Sequence, residues 1–296
     1  MTRNSAQIVR IGGLGLRFVG RSRADLPGPF ADFAGSGPCV SRLSVREEPG
    51  APDGALRPLC DAGAWALFES RDGLRYEGYA PPLHGKRPVL QADASADWSE
   101  GIVRVDPELC PLQTRLAPIS SPFGEFLLMS LLNRDGGLYV HAASVVRDGG
   151  ALLFLGKSGA GKTTLSGLAR SQGAEVLSDD RTALRFVRGR LTAFGTPFHG
   201  TGRHWAARRA PVHGVFFLEH APETRARRLP LGEAAARLAA LCFAPFWNRI
   251  ALDELLRQSE AAARAVPAHV LGFTPDLSAL EALDAVAPRP RHAHGR

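Results

Sequence analysis

Gly156-Lys157-Ser158-Gly159-Ala160-Gly161-Lys162-Thr163 is the stretch that decides how this chain reads. It fits the pattern GxxxxGK[ST], and its setting matters as much as its letters. An apolar run, residues 151–155, leads into it, and residues 163–171 read as a helix stopped near Gly173. Glycines let backbone amides curl around an anion without Cβ clashes. The start of the following helix adds the positive end of its dipole. Residues Gly156 to Thr163, with Thr164, are therefore expected to cradle the phosphates of ATP. Lys162 is expected to reach the β- and γ-phosphates and the Thr163 hydroxyl to ligate Mg²⁺. The bland alternative is a glycine-rich turn; a strand before it and a helix after it favour the cradle.

Upstream, residues 138–146 and 151–155 form two apolar runs joined by Arg147-Asp148-Gly149-Gly150. Asp-Gly at this place predicts a hairpin. Pairing Val146 with Ala151 sets His141 opposite Gly156, where the glycine-rich loop begins. Before the hairpin, Ser121-Pro122 reads as a helix start. Phe126, Leu127, Met129, Leu131 and Leu132 supply its apolar face, and Gly136-Gly137 ends it.

Downstream, residues 174–178 read as a strand ending in Asp179-Asp180. The intervening helix, about ten residues or roughly 15 Å long, returns the chain across the sheet. The strand after it is then expected to run parallel to the first and to end at the same edge. Both carboxylates arrive near the phosphates. One can hold Mg²⁺ and the other can accept a proton from a hydroxyl nucleophile. Alone, the acid pair would read as a solvated turn. His141 can orient a base, bond a phosphate or ligate a metal, against the alternative of a satisfied core histidine. His199, in the loop at 195–200, and Arg203, Arg208 and Arg209 after it are weaker candidates; an arginine there could stabilise a transferring phosphate, or simply be a surface residue. Further strands are expected at 191–194, 212–218 and 269–273, and helices at 232–242 and 251–265.

Residues 1–120 look β-rich, with alternation at Leu14, Leu16 and Phe18 and along residues 65–70, and an Asp72-Gly73 turn signal. Residues 26–38 and 49–58 read as loops, and no functional motif stands out. The expected organisation is a β-rich region at 1–120 of unassigned role, a phosphate-loop kinase domain at 121–287, and a disordered basic tail at 288–296. At 45% hydrophobic and 22% charged residues the composition is that of an ordinary globular protein. No apolar run approaches the roughly 20 residues of a membrane span, and Arg10 and Arg17 interrupt the apolar N-terminus, so a cytoplasmic location and no membrane partner are expected. The net charge of +7 comes from arginines that are scattered, apart from Arg225-Ala226-Arg227-Arg228 and the C-terminal tail, with no stripe of basic and aromatic residues, so nucleic acid is not an expected partner. Cys39, Cys60, Cys110 and Cys242 form no metal or disulfide spacing. Only Lys86, Lys157 and Lys162 are lysines, and two of them lie in the loop, where a compact point charge is useful.

Tyr139-Val140-His141-Ala142-Ala143-Ser144, the hairpin, the loop through Thr164, and Leu177-Ser178-Asp179-Asp180 together resemble the HPr kinase/phosphorylase family. Phe216-Phe217-Leu218-Glu219 and Arg228-Leu229-Pro230-Leu231-Gly232 resemble it more loosely, so the resemblance spans about residues 121–245. It implies an α/β fold whose nucleotide-binding core is similar to that of ATP-dependent phosphoenolpyruvate carboxykinase. It also implies an ATP- and Mg²⁺-dependent serine kinase. By that resemblance Asp179 is the base that activates a serine hydroxyl, Asp180 and Thr163 hold Mg²⁺, and His141 sits beside the aspartates. The arginine-bearing motif of the kinases' protein-substrate loop is not clear here, so the acceptor is a protein or peptide of unassigned identity. The kinase relatives are oligomers, which leaves a homo-oligomer as an open expectation. Two alternatives stay open: an ATP-binding switch or assembly factor that phosphorylates no acceptor, and a small carboxykinase-like enzyme. The latter departs from its family in having no lysine between Lys86 and Lys157.

Overall fold

A computed structural model describes residues 5–20, 26, 28–51, 56–79, 87–110, 117–120 and 122–287. The expected helix cap at Ser121, Lys86 and the tail at 288–296 lie outside the described residues. The chain divides into two compact units, Met1–Arg134 and Asp135–Arg296. The division falls after the helix that the sequence reading grouped with the second domain.

In the first unit, β1 (Ser5–Ile11), β2 (Leu14–Gly20), β3 (Ser41–Glu47), β4 (Pro58–Asp61), β5 (Trp65–Ser70), β6 (Gly73–Gly78), β7 (Leu90–Ala94) and β8 (Glu100–Val105) form one mixed sheet, in the order β1-β2-β3-β8-β7-β6-β5-β4. The Asp72-Gly73 signal holds: Ser70 faces Gly73 in the β5–β6 hairpin. Residues 26–38, expected to be a loop, contain a 3₁₀ helix at Gly28–Phe33. Phe30 and Phe33, three residues apart, eclipse on one side of it and are both buried. Helix α1 (Pro122–Arg134) is apolar almost all round. Its Phe123 and Phe126 join Trp65, Tyr76 and Trp98 in a ring cluster with centroids 4.9 to 5.9 Å apart. A Cβ at Gly124 would lie 1.8 Å from the Ile119 carbonyl oxygen, so only glycine lets the helix start this close.

The second unit holds β9 (Leu138–Arg147), β10 (Gly150–Leu155), α2 (Lys162–Ser171), β11 (Glu175–Ser178), β12 (Arg181–Val187), β13 (Arg190–Phe194), β14 (Arg209–His220), β15 (Arg225–Arg228), α3 (Leu231–Ala240), α4 (Arg249–Ala265), β16 (Ala268–Phe273) and α5 (Ser278–Val286). The hairpin register is the expected one, with Val146 facing Ala151. Asp148 and Gly149, at φ 48° and 77°, make the turn. Two long strands, β9 and β14, each pair with three others, β9 with β10, β11 and β12 and β14 with β10, β13 and β16. β9 pairs with β12 through residues 138–141 and with β10 through residues 142–147. β14 pairs with β13 at residues 209–211 and runs parallel to β10 from Val212 to Phe217. The pairing path β10-β9-β12-β13-β14 therefore closes back on β10.

Every residue of β10 is buried. Its side chains alternate between two cores, Ala151, Leu153 and Leu155 on one face and Leu152 and Phe154 on the other. Helices α3 and α4 add Leu238 and Leu255 to the first core, and α2 and α5 add Leu165 and Leu280 to the second. Both β10 and β11 are antiparallel to β9, so they point the same way, as expected, with β9 between them. Strands β12 and β15 and helix α5 were not foreseen. The Arg225-Ala226-Arg227-Arg228 run is the edge strand β15, where charge discourages further pairing. The architecture is mixed α/β with two large mixed sheets. Among the described residues no helix is long and apolar enough to cross a membrane.

Candidate active site

The glycine-rich loop leaves β10 at Leu155 and enters α2 at Lys162. Gly159 and Gly161 take φ values of 84° and 96°, which side chains other than glycine's resist. Gly161 has a second constraint: a Cβ there would lie 2.6 Å from the Phe273 ring. Leu165 N–H donates to the Gly161 carbonyl, so the first turn of α2 begins inside the loop. The Lys162 ammonium folds back over the loop and donates to the carbonyls of Gly156 (2.8 Å) and Lys157 (3.3 Å). Burial pulls Lys162 below the ordinary lysine value; the Asp180 carboxylate opposes this and the Arg181 charge adds to it. From the end of β14, His220 Nε2–H donates to the Gly159 carbonyl at 2.9 Å.

Asp179 and Asp180 follow β11 but face different surroundings. Asp179 is 2% exposed. Its Oδ1 accepts the Gly200 N–H at 2.8 Å, and its Oδ2 has no hydrogen-bond partner among the described residues. Asp180 has both oxygens engaged: Oδ1 takes His141 Nε2–H at 2.8 Å and Oδ2 takes the Arg181 guanidinium. Burial pushes the Asp180 carboxyl up, but the His141 hydrogen bond and the charges of Arg181, His141 and Lys162 outweigh it and leave it below the usual carboxylate range. Arg181 opens β12 directly across from His141 on β9. Its guanidinium also lies 4.4 Å above the Phe243 ring, a cation–π placement that fixes its height.

The turn at 200–203 closes over the aspartates. A Cβ at Gly200 would lie 2.9 Å from the Asp180 Cβ. At Gly202 it would lie 2.6 Å from Asp179 Oδ2 and 3.3 Å from Thr163 Cγ2. The start of α2 and the buried acid thus border the same bare backbone. His199 anchors the turn, with Nδ1–H donating to the Gly200 carbonyl and its ring stacked on Trp205 at 5.1 Å.

Of the residues singled out by sequence, Lys162, Thr163, Asp179, Asp180 and His141 converge on this region, with Gly156 to Gly161 as the loop and Thr164 in the first turn of α2. Arg208 is engaged elsewhere, paired with Glu175 at 2.6 Å, and Arg209 lies over Phe194. Sequence reading missed Arg181, Gly200, Gly202, His220 and Phe243. Arg181 alone left a signal, because it adjoins the acid pair. Among the described residues no three His, Cys, Asp or Glu side chains are grouped to hold a metal ion by themselves. The donors present, a hydroxyl and carboxylate oxygens, are the hard ligands that Mg²⁺ takes together with phosphate oxygens.

A protein-family model described as "SynChlorMet cassette protein ScmC" matches residues 126–268. The structure of the Hpr(Ser) kinase/phosphatase from Coxiella burnetii is similar over 50% of this chain and 88% of that chain, at 16% identity and a TM-score of 0.31. No curated protein matches the sequence. Likeness at this level leaves the functional reading to the geometry of the site.

Proposed function

We propose that the second unit is an ATP- and Mg²⁺-dependent phosphotransferase of HPr-kinase type, moving the γ-phosphoryl group to a hydroxyl, serine being the expected one, of a protein or peptide. The observation that carries this reading is the shared approach of Asp179 Oδ2 and Thr163 to Gly202. A buried carboxylate oxygen without a partner beside a phosphate-binding loop is an acceptor in want of a proton. Loop amides and the Lys162 ammonium bind the phosphates. Thr163 and Asp180 would hold Mg²⁺, each carboxylate oxygen of Asp180 keeping a lone pair beyond its bond to His141 or Arg181. The ion would supply charge neutralisation at the phosphates.

In the transfer, the acceptor oxygen forms a bond to the γ-phosphorus as the bond to the β-phosphate bridging oxygen breaks. The departing electron pair stays on ADP and the hydroxyl proton passes to Asp179 Oδ2. With a loose transition state the proton leaves late, so a carboxylate is a sufficient base. His141 and Arg181 keep Asp180 ionised and fixed.

The test is transfer from γ-labelled ATP with Mg²⁺ into a lysate of the native host, wild type beside Asp179→Asn. Label that enters one acceptor with wild type, and falls at least about 10³-fold with the variant, supports the reading. ATP binding with no labelled acceptor favours a nucleotide-driven switch instead. ATP consumed only when oxaloacetate is present would point to carboxykinase chemistry.

A further inference from the structure

Among the described residues, four other than glycine have positive φ: Trp98, Asp148, Arg188 and Arg203. Asp148 and Arg188 each precede a left-handed glycine in a two-residue hairpin turn, where that conformation is required. Trp98 is 2% exposed and packed edge-on against Phe123 and Phe126. Arg203, at φ 53°, has neither reason. It is in no hairpin, its side chain is exposed, and its guanidinium has no hydrogen bond, ion pair or ring contact among the described residues. Its Cα stands about 3.8 Å from that of Gly202, the residue whose backbone borders both Asp179 Oδ2 and Thr163. A strained conformation held by the surrounding turn, without a structural beneficiary, marks a functional position.

Two further arginines among the described residues are occupied. Arg181 is held by Asp180 and Phe243, and Arg208 by Glu175. Resting on the phosphotransfer reading above, we infer that Arg203 is a catalytic residue whose guanidinium contacts the equatorial oxygens of the γ-phosphoryl group in transit. In the loose transition state negative charge spreads over those oxygens, and a planar donor fork matches them better than a point charge does. The turn holds the guanidinium uncommitted because its charge is needed only as the phosphoryl group moves. The tight packing of Gly200 and Gly202 on the aspartates fixes the backbone of the turn that carries Arg203.

The experiment compares full-length wild type with Arg203→Gly and Arg203→Lys. Glycine removes the fork and also relieves the left-handed strain, so a merely structural arginine predicts a stabler protein with unchanged chemistry. The expected result is a kcat lower by on the order of 10³-fold for Arg203→Gly, a fluorescent-ATP affinity within about threefold of wild type, and a Tm no lower. Arg203→Lys should recover part of the loss. Transfer by Arg203→Gly within about threefold of wild type overturns the inference. So does a loss of affinity that accounts for the whole fall in kcat/KM, because the residue would then only bind ATP. Wild-type protein that transfers no label sinks the phosphotransfer reading first and this inference with it; the overturning results above leave that reading intact.

Discussion

Asp93 in the first unit and Asp179 in the second are both acids set among strands, and they are treated in opposite ways. Asp93 Oδ1 pairs with Arg75 at 2.6 Å and its Oδ2 with Arg104 at 2.5 Å, so its charge is spent within the sheet. Asp179 is nearly inaccessible, yet one oxygen has only a backbone N–H and the other has no partner. A fully buried carboxylate without a cation is costly, whereas a part-exposed and doubly paired one is nearly neutral. The first sheet pairs this acid off; the second carries an unsettled one beside its glycine-rich loop.

Glycine substitutions should break this contrast most strongly. A Cβ at Gly101 would meet the Asp93 carbonyl oxygen at 2.5 Å, and one at Gly202 would meet Asp179 Oδ2 at 2.6 Å. Gly101→Ala and Gly202→Ala should each destabilise by about 1–3 kcal/mol in urea unfolding. Only Gly202→Ala should also cut phosphate transfer per folded molecule, on the order of 100-fold. Equal kcat values for the two variants would remove the distinction between the edges.

Smaller effects on stability come from the acids themselves. Asp179→Asn keeps an acceptor for Gly200 N–H and removes a buried charge, so stability should rise by about 1 kcal/mol while transfer collapses. Asp93→Asn should lose about 1 kcal/mol or less and leave transfer unchanged. A Tm that falls in Asp179→Asn would mean that its carboxylate is satisfied after all.

The mildest test is pH. Asp180 sits below its ordinary value in the folded protein, so its charge stabilises above the unfolded value, about 3.9. That contribution is lost as pH falls through the lower folded value. Wild type should therefore outlast Asp180→Asn in urea at pH 6, and the advantage should shrink towards pH 3. His141→Gln should narrow it at pH 6. An advantage of constant size across that range would rule out the linkage.

Much of the second unit was legible because its signals are local. Asp148-Gly149 fixes a turn, and the turn fixes the register that places His141. The loop announces itself by glycine spacing, and the acid pair by following a short apolar strand. What escaped depends on contacts distant in sequence. Arg181 to Val187 carries Arg185 amid its apolar residues, which blurred the strand, and with it went the view of Arg181 facing His141. Gly200 and Gly202 look like loop filler until Asp179 is seen against them. Phe243 ends no motif, and its role as a platform for Arg181 exists only once α3 has returned the chain to β9. In the first unit alternation revealed strands but not their order, because the parallel β2–β3–β8 pairings join segments far apart in the chain.

The closed path of strands has a consequence in time. β10 gains its first neighbour, β9, at once through the hairpin, but its other neighbour is the stretch Val212–Phe217 of β14. At about 5–20 residues per second of synthesis, the roughly sixty intervening residues leave an apolar edge of β10 unpaired for roughly 3 to 12 s. During that interval the nascent chain carries a naked hydrophobic strand beside an unfinished glycine-rich loop. Expression at lower temperature, or with holdase chaperones in excess, should raise the soluble yield by protecting that one edge until β14 emerges.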